Sequence, residues 1–152
     1  MPTVRPAKPA DRPAVERLLR EAGLPLDGVA DAFGGYLVAE VSGAVVGAIG
    51  LEWHGGYALL RSAVVAAGWR GRGLGVRLTE AALAEARRGG AQAVYLLTTT
   101  AVDFFPRFGF AAIDRSHVPA AVQRSVEFQG ACPDTAVAMQ LDLAGSVERS
   151  TT

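Results

Sequence analysis

The chain has 152 residues, and its 15 basic side chains balance 15 acidic ones, which argues against a nucleic-acid binder with its usual basic excess or stripe. Half of the residues are hydrophobic, enough to build the core of one domain and too many for a disordered chain. No apolar run reaches ~18 residues, so no membrane span is expected, and a single cysteine, Cys132, excludes an intramolecular disulfide or a multi-cysteine zinc site.

No charged leader and no apolar signal core follow Met1, so a cytoplasmic protein is expected. Residues 3–6 (TVRP) read as a first strand. PADRPAVERLLREAG then reads as a helix with Val15, Leu18, Leu19 and Ala22 on one face, stopped by Gly23 and Pro25. A second short helix is expected between Asp27 and Phe33. YLVAEV (36–41), the turn Ser42-Gly43 and AVVGAIGLEWH (44–54) read as an antiparallel hairpin, and Gly55-Gly56 turns the chain into YALLRSAVV (57–65).

The pattern then changes. After a run rich in glycine, Leu74, Leu78, Ala81 and Ala82 fall at helical spacing, and that helix can extend to Gly89-Gly90. AVYLLT (93–98) is continuously apolar, as a strand buried on both faces would be. A short helix from Ala101, a strand FAAID (110–114), a helix at 119–126 and a last strand AVAMQLDL (136–143) complete the chain. No repeat or linker divides it, so one domain is expected over 1–144, with a frayed tail over 145–152.

The run WRGRGLGVRL (69–78) raises the functional question. It lacks the Gly-Lys-Ser/Thr end of a Walker loop. Its spacing, Gly71-x-Gly73-x-Gly75, is not the G-x-G-x-x-G of a dinucleotide fingerprint. It does lie between a strand and a helix start, where unpaired N–H groups and the helix dipole attract phosphate. Glycines there let the backbone approach a ligand, and Arg70 and Arg72 add charge at the rim.

Arg70-x-x-Gly73-x-Gly75, after a strand ending Ala63-Val64-Val65, resembles the acetyl-CoA motif of the GNAT N-acetyltransferase superfamily, and the resemblance covers nearly the whole chain. It implies an α/β (α+β) fold with a mixed, largely antiparallel central sheet, about six to seven strands and about four helices, and a splay between the fourth and fifth strands. It also implies acetyl-CoA as co-substrate, with no metal. The edge of Ala63, Val64 and Val65 would bond the pantetheine arm. The loop of Arg70, Gly71, Arg72, Gly73, Leu74, Gly75 and Val76 would hold the pyrophosphate. Gly68-Trp69 stands where many members carry a proline and a variable residue. Tyr95-Leu-Leu-Thr-Thr-Thr-Ala-x-x-Phe-Phe, Gly109-Phe110 and Cys132-Pro133 are similar to the arsenic-resistance N-acetyltransferase-like branch, which itself resembles the acetyltransferase domain of N-acetylglutamate synthases. A dimer through the C-terminal strands is common in that family.

Acetyl transfer by direct attack needs a base for the amine proton, a donor for the thioester oxygen and a way to steady the leaving thiolate. The resemblance implies that the N–H of Val65 or its neighbour serves the oxygen. Many members place the thiolate's acid at the tyrosine of Phe-Tyr-x-x-x-Gly-Phe. Here that position is Phe105, which has no proton to give, and Pro106 follows it. Thr98 stands where many members have asparagine and is the candidate hydroxyl. Thr100 is the expected cap of the next helix.

Glu52 interrupts an apolar run and is the candidate base. With a two-residue turn at Gly55-Gly56, Glu52 and Arg61 point to the same face, one diagonal step apart. Two readings follow: a catalytic carboxylate beside an arginine that holds a substrate anion, or a structural cross-strand ion pair. Arg115 is a second candidate for a substrate carboxylate. Arg124, His117 and His54 read as surface residues, and Cys132 as a small buried hydrophobe. One thiol is too few for a three-thiolate arsenic site within the chain. The expected partner is a small, amino-acid-like amine, with a protein amine or a non-catalytic acyl-CoA-binding role as alternatives.

Overall fold

Two dipeptide turns organise the first half of the sheet. In the computed structural model, which describes residues 1–143, Ser42 (φ 52°) and Gly43 (φ 81°) connect β2 (Tyr36–Val41) to β3 (Ala44–His54). Gly55 (φ 60°) and Gly56 (φ 88°) connect β3 to β4 (Tyr57–Val65). Two successive positive φ values make the tight turn whose twist suits a hairpin. β1 (Thr3–Pro6) pairs antiparallel with β2, from Thr3↔Glu40 to Pro6↔Leu37. With β5 (Ala93–Thr98), β6 (Ala111–Ile113) and β7 (Val137–Asp142), the seven-stranded order is β1-β2-β3-β4-β5-β7-β6. β4 and β5 are parallel, with Ala58↔Val94 and Leu59↔Tyr95 in register. β7 pairs antiparallel with both β5 and β6. The mixed, mostly antiparallel sheet expected from the sequence is present. Among the described residues no helix is long and apolar enough to cross a membrane.

The chain divides into two compact units. The first comprises Met1–Glu52 and Leu60–Ala84. Its helix α1 (Arg12–Glu21) buries Val15, Leu18 and Leu19 against Val29, Phe33, Tyr36, Val38, Ala48 and Val64. Ala22, expected on that buried face, is instead the exposed C-cap. Gly23 N donates to Arg20 O and Leu24 N to Leu19 O, with Gly23 at φ 72°. These bonds satisfy the last carbonyls and end the helix before Ala22 can turn inward. The second short helix is one turn, α2 (Val29–Ala32), continued by a 3-10 turn at Phe33–Gly35. α3 runs from Leu74 to Arg88. Leu74, Leu78, Ala82, Leu83 and Ala86 are buried along it, while Ala81 is only half-buried.

The second unit comprises Trp53–Leu59 and the chain from Glu85. Its core gathers Leu59, Ala93, Tyr95, Val118, Val122 and Ala138. The helix expected from Ala101 is a 3-10 turn at Phe105–Phe108 instead. Pro106 lacks the N–H that an α-helix would use there. The helix expected at 119–126 shrinks to α4 (Ala120–Gln123), followed by a π-type turn at Glu127–Ala131 that kinks at Gln129 and Gly130. The expected tail, 145–152, lies outside the described residues.

Tyr36 shows how tightly the first unit is packed. Its ring stacks on Phe33 at 5.1 Å and lies over Gly50, its partner across β2 and β3. A Cβ at Gly50 would sit 2.5 Å from that ring. Gly50→Ala should therefore cost about 1–3 kcal/mol through overpacking, measured by urea unfolding. Wild-type stability in that variant would contradict this placement of the tyrosine.

Candidate active site

β4 ends in a pinned turn. Ala66 N donates to Val46 O at 2.8 Å, and a 3-10 turn covers Ala67–Trp69. Arg70 Nε reaches back to Val65 O at 3.1 Å. Gly71 (φ 78°) and Gly73 (φ 81°) then take left-handed conformations. A Cβ on either would meet nothing within 4 Å. Their role is therefore backbone shape beside open space, not packing. α3 starts at Leu74, so the N–H groups of Leu74, Gly75 and Val76 have no acceptor one turn back inside the helix. Arg77 N closes the first turn on Gly73 O at 3.2 Å. Arg70, Gly71, Arg72 and Gly73 are all exposed. The Arg72 guanidinium lies over the Trp69 ring, 4.7 Å from its centroid. The result is an open cluster of amides at the positive end of a 15-residue helix, flanked by two arginines, which suits a phosphate-bearing ligand. Upstream, Ala63 is exposed, Val64 is anchored in the core and Val65 is half-buried.

A polar network lies inside the same unit. Arg61 Nη1 donates to Glu52 Oε2 at 2.7 Å, so the two do share a face, as the hairpin register predicts. The Arg61 side chain is 0% exposed and that of Glu52 10%. The expected role of Arg61, holding a substrate anion, would require a guanidinium that is enclosed here by Glu52 and Ser62 to become accessible. Its Nε donates to Ser62 Oγ at 3.2 Å, and Ser62 Oγ shares a 2.6 Å hydrogen bond with Tyr36 Oη. Ser62 sits at φ 59°, a conformation that costs a non-glycine residue on the order of 1–3 kcal/mol. Tyr36 and Ser62 escape sequence reasoning. Their only signal is an Arg-Ser pair inside the otherwise apolar YALLRSAVV.

In the second unit Thr98 Oγ1 accepts from Ala101 N at 2.9 Å. Thr98, rather than the expected Thr100, caps the turn after β5, and its own hydroxyl proton is not used in that bond. Phe105 is buried and meets Phe104 and Phe110 edge to face, at 5.1 and 5.8 Å. The residue at the usual tyrosine position is thus part of an aromatic cluster. Arg115 lies over Phe128 at 5.5 Å and reaches Asp134 O at 3.4 Å. His117 and Arg124 are exposed, and His54 and Cys132 are half-buried.

A mixed sheet in which β4 and β5 run parallel, with a glycine loop between β4 and the start of α3, presents backbone amides to a phosphate-bearing ligand. Residues 5–110 match the acetyltransferase (GNAT) family model, and the chain belongs to that family. It is an acetyltransferase of the GNAT family. Among solved structures it is similar to Rv2747 from Mycobacterium tuberculosis, solved with CoA and a second ligand: 28% identity over 93% of this chain and 99% of that one, TM-score 0.80. The N-acetylglutamate synthase of Neisseria gonorrhoeae, complexed with coenzyme A and N-acetyl-glutamate, shares the fold at 19% identity and TM-score 0.80. The match covers 94% of this chain but 35% of the synthase. The ribosomal-protein-S18-alanine N-acetyltransferase of Escherichia coli also shares it, at 18% identity, TM-score 0.74 and 95% of both chains. No curated protein matches the sequence.

Removing one partner of a buried ion pair strands the other in a poor solvent. Arg61→Met should cost about 3 kcal/mol in urea unfolding, while Arg61→Met with Glu52→Leu should recover most of it. A single variant as stable as wild type would show that the pair is not buried as described.

Proposed function

We propose that the chain transfers acetyl from acetyl-CoA to the amine of a small, amino-acid-like substrate, by direct attack without an acyl-enzyme. The open amide loop at Arg70–Val76 carries this reading, because it supplies a ready seat for a pyrophosphate on an otherwise neutral protein. The backbone of Ala63, Val64 and Val65 bonds the pantetheine arm. Glu52, fixed by Arg61 yet still partly open to water, accepts the ammonium proton directly or through a water molecule. The freed nitrogen attacks the thioester carbon. The oxygen gathers negative charge against the N–H of Val65 or its neighbour, the C–S bond breaks, coenzyme A leaves as thiolate, and the second proton of the attacking nitrogen passes to that thiolate or to water as the amide forms. A phenyl ring at Phe105 gives that thiolate no proton. We assign the steadying role to the Thr98 hydroxyl, and a substrate-carboxylate role to Arg115.

The small-amine class is supported by the fold-level likeness to N-acetylglutamate synthase and by the 28% identical relative solved with CoA and a second ligand. The sequence likeness to the arsenic-resistance branch extends the class to organoarsenical amines that carry an amino-acid carboxylate. Likeness to the ribosomal-protein enzyme makes a protein N-terminus the competing acceptor.

The test is release of free thiol from acetyl-CoA against amino acids, amine-bearing organoarsenicals and N-terminal peptides. At least one small amine should turn over, and turnover with peptides alone would reject the substrate class. With the best amine, Glu52→Gln should lower kcat by about 10²-fold or more near neutral pH, and the loss should shrink as pH rises and the amine deprotonates by itself. Equal turnover of the variant across that range would leave Glu52 with the ion pair alone.

A further inference from the structure

Consecutive side chains in an extended strand point to opposite faces. Arg61 and Ser62 do not: Arg61 Nε lies 3.2 Å from Ser62 Oγ. The positive φ of Ser62 swings its side chain to the side of Arg61. A left-handed residue inside a strand interrupts its regular alternation and redirects the backbone groups that follow it. Those groups belong to Ala63, Val64 and Val65.

Glycine would take φ 59° without steric cost. The chain instead holds a serine there by its hydroxyl. Ser62 Oγ is gripped from two sides, by Arg61 Nε and by Tyr36 Oη. Each holder is itself fixed. Tyr36 is buried, stacked on Phe33 and set over Gly50. Arg61 is tied to Glu52. Three strands, β2, β3 and β4, thus contribute side chains to one backbone conformation. At the far end, Val64 is buried, Val65 O accepts from Arg70, and Ala66 N is bonded to Val46 O. The three residues of the edge are held from both sides.

We propose that Tyr36 and Ser62 are positioning residues for acetyl transfer: through the Tyr36–Ser62 hydrogen bond they hold β4 in its turned conformation, so that the N–H of Val65 or its neighbour is aimed at the thioester oxygen. The proposal rests on the reading of β4 as the acetyl-CoA edge. It differs from a stabilising role alone in what it predicts for the bound ligand. A well-aimed N–H polarises the thioester carbonyl before any amine arrives.

Isotope-edited infrared spectroscopy of carbonyl-labelled acetyl-CoA reads that polarisation directly. Bound to wild type, the carbonyl stretch should fall below its value in water. Tyr36→Phe keeps the ring on Phe33 and over Gly50, and Ser62→Gly still allows the positive φ without strain but removes the hydroxyl that fixes it. Both should lose at least half of the shift, bind coenzyme A about as tightly as wild type in calorimetry, and show kcat lowered by about tenfold or more with little change in KM for acetyl-CoA. Folded variants that keep the full shift would overturn the proposal. So would a wild type that binds coenzyme A with no shift. A wild type that binds no coenzyme A at all would instead remove the reading of the β4 edge on which the proposal stands.

Discussion

Taking a guanidinium out of water costs several kcal/mol unless its charge and its N–H groups are met inside the protein. Arg61, in the middle of β4, has no exposed side-chain surface. Much of the first unit can be read as the answer to that demand. Glu52 must lie on the same face of the neighbouring strand, which requires the two-residue turn at Gly55-Gly56. Ser62 must turn against strand habit to place its hydroxyl on Nε. Tyr36 must reach Ser62, and for that Gly50 must carry no side chain. A slip of one residue in the hairpin would put Glu52 on the wrong face and leave the cation buried without its carboxylate. The charge therefore acts against wrong registers as well as within the right one.

The same strand leads straight into the glycine loop, so rigidity and openness meet within about a dozen residues. β4 is fixed by its buried network and by the bonds at Val65 and Ala66. Gly71 and Gly73 follow with left-handed backbones and empty space beside them. An anion site of this sort draws little on side-chain packing. It depends on amides whose usual acceptors are missing because the helix has only just begun. On the proposed function that separation has a chemical use: the rigid part would aim a reacting group while the open part would receive a phosphate.

Much of this was legible in the sequence, for identifiable reasons. Turn dipeptides and period-two alternation carry local information, and they placed β1 to β4 and brought Glu52 and Arg61 to one face. Glycine spacing before a helical pattern marked the loop. What escaped depends on tertiary contacts. Nothing local announces a left-handed serine, because its strain is balanced by a tyrosine 26 residues away. Thr98 and Thr100 are equally able to cap, and the path of the chain after β5 decides between them. Pro106 signalled a short helix after Ala101, and the segment forms a 3-10 turn whose phenylalanines pack edge to face, a contact that no local pattern announces. The burial of Arg61 was not legible, because sequence alternation reports the face of a strand and says nothing of what covers that face.

The central claim is that the amides from Gly71 to Val76 receive the pyrophosphate of coenzyme A. Backbone amide chemical shifts of the isotope-labelled protein, followed as coenzyme A is added, test it most directly. The account predicts that the largest shifts fall on Gly71, Gly73, Leu74, Gly75 and Val76, that they saturate together, and that they are smaller with pantetheine, which lacks the phosphates. Saturating shifts confined to other parts of the chain, with these amides unmoved, would contradict it.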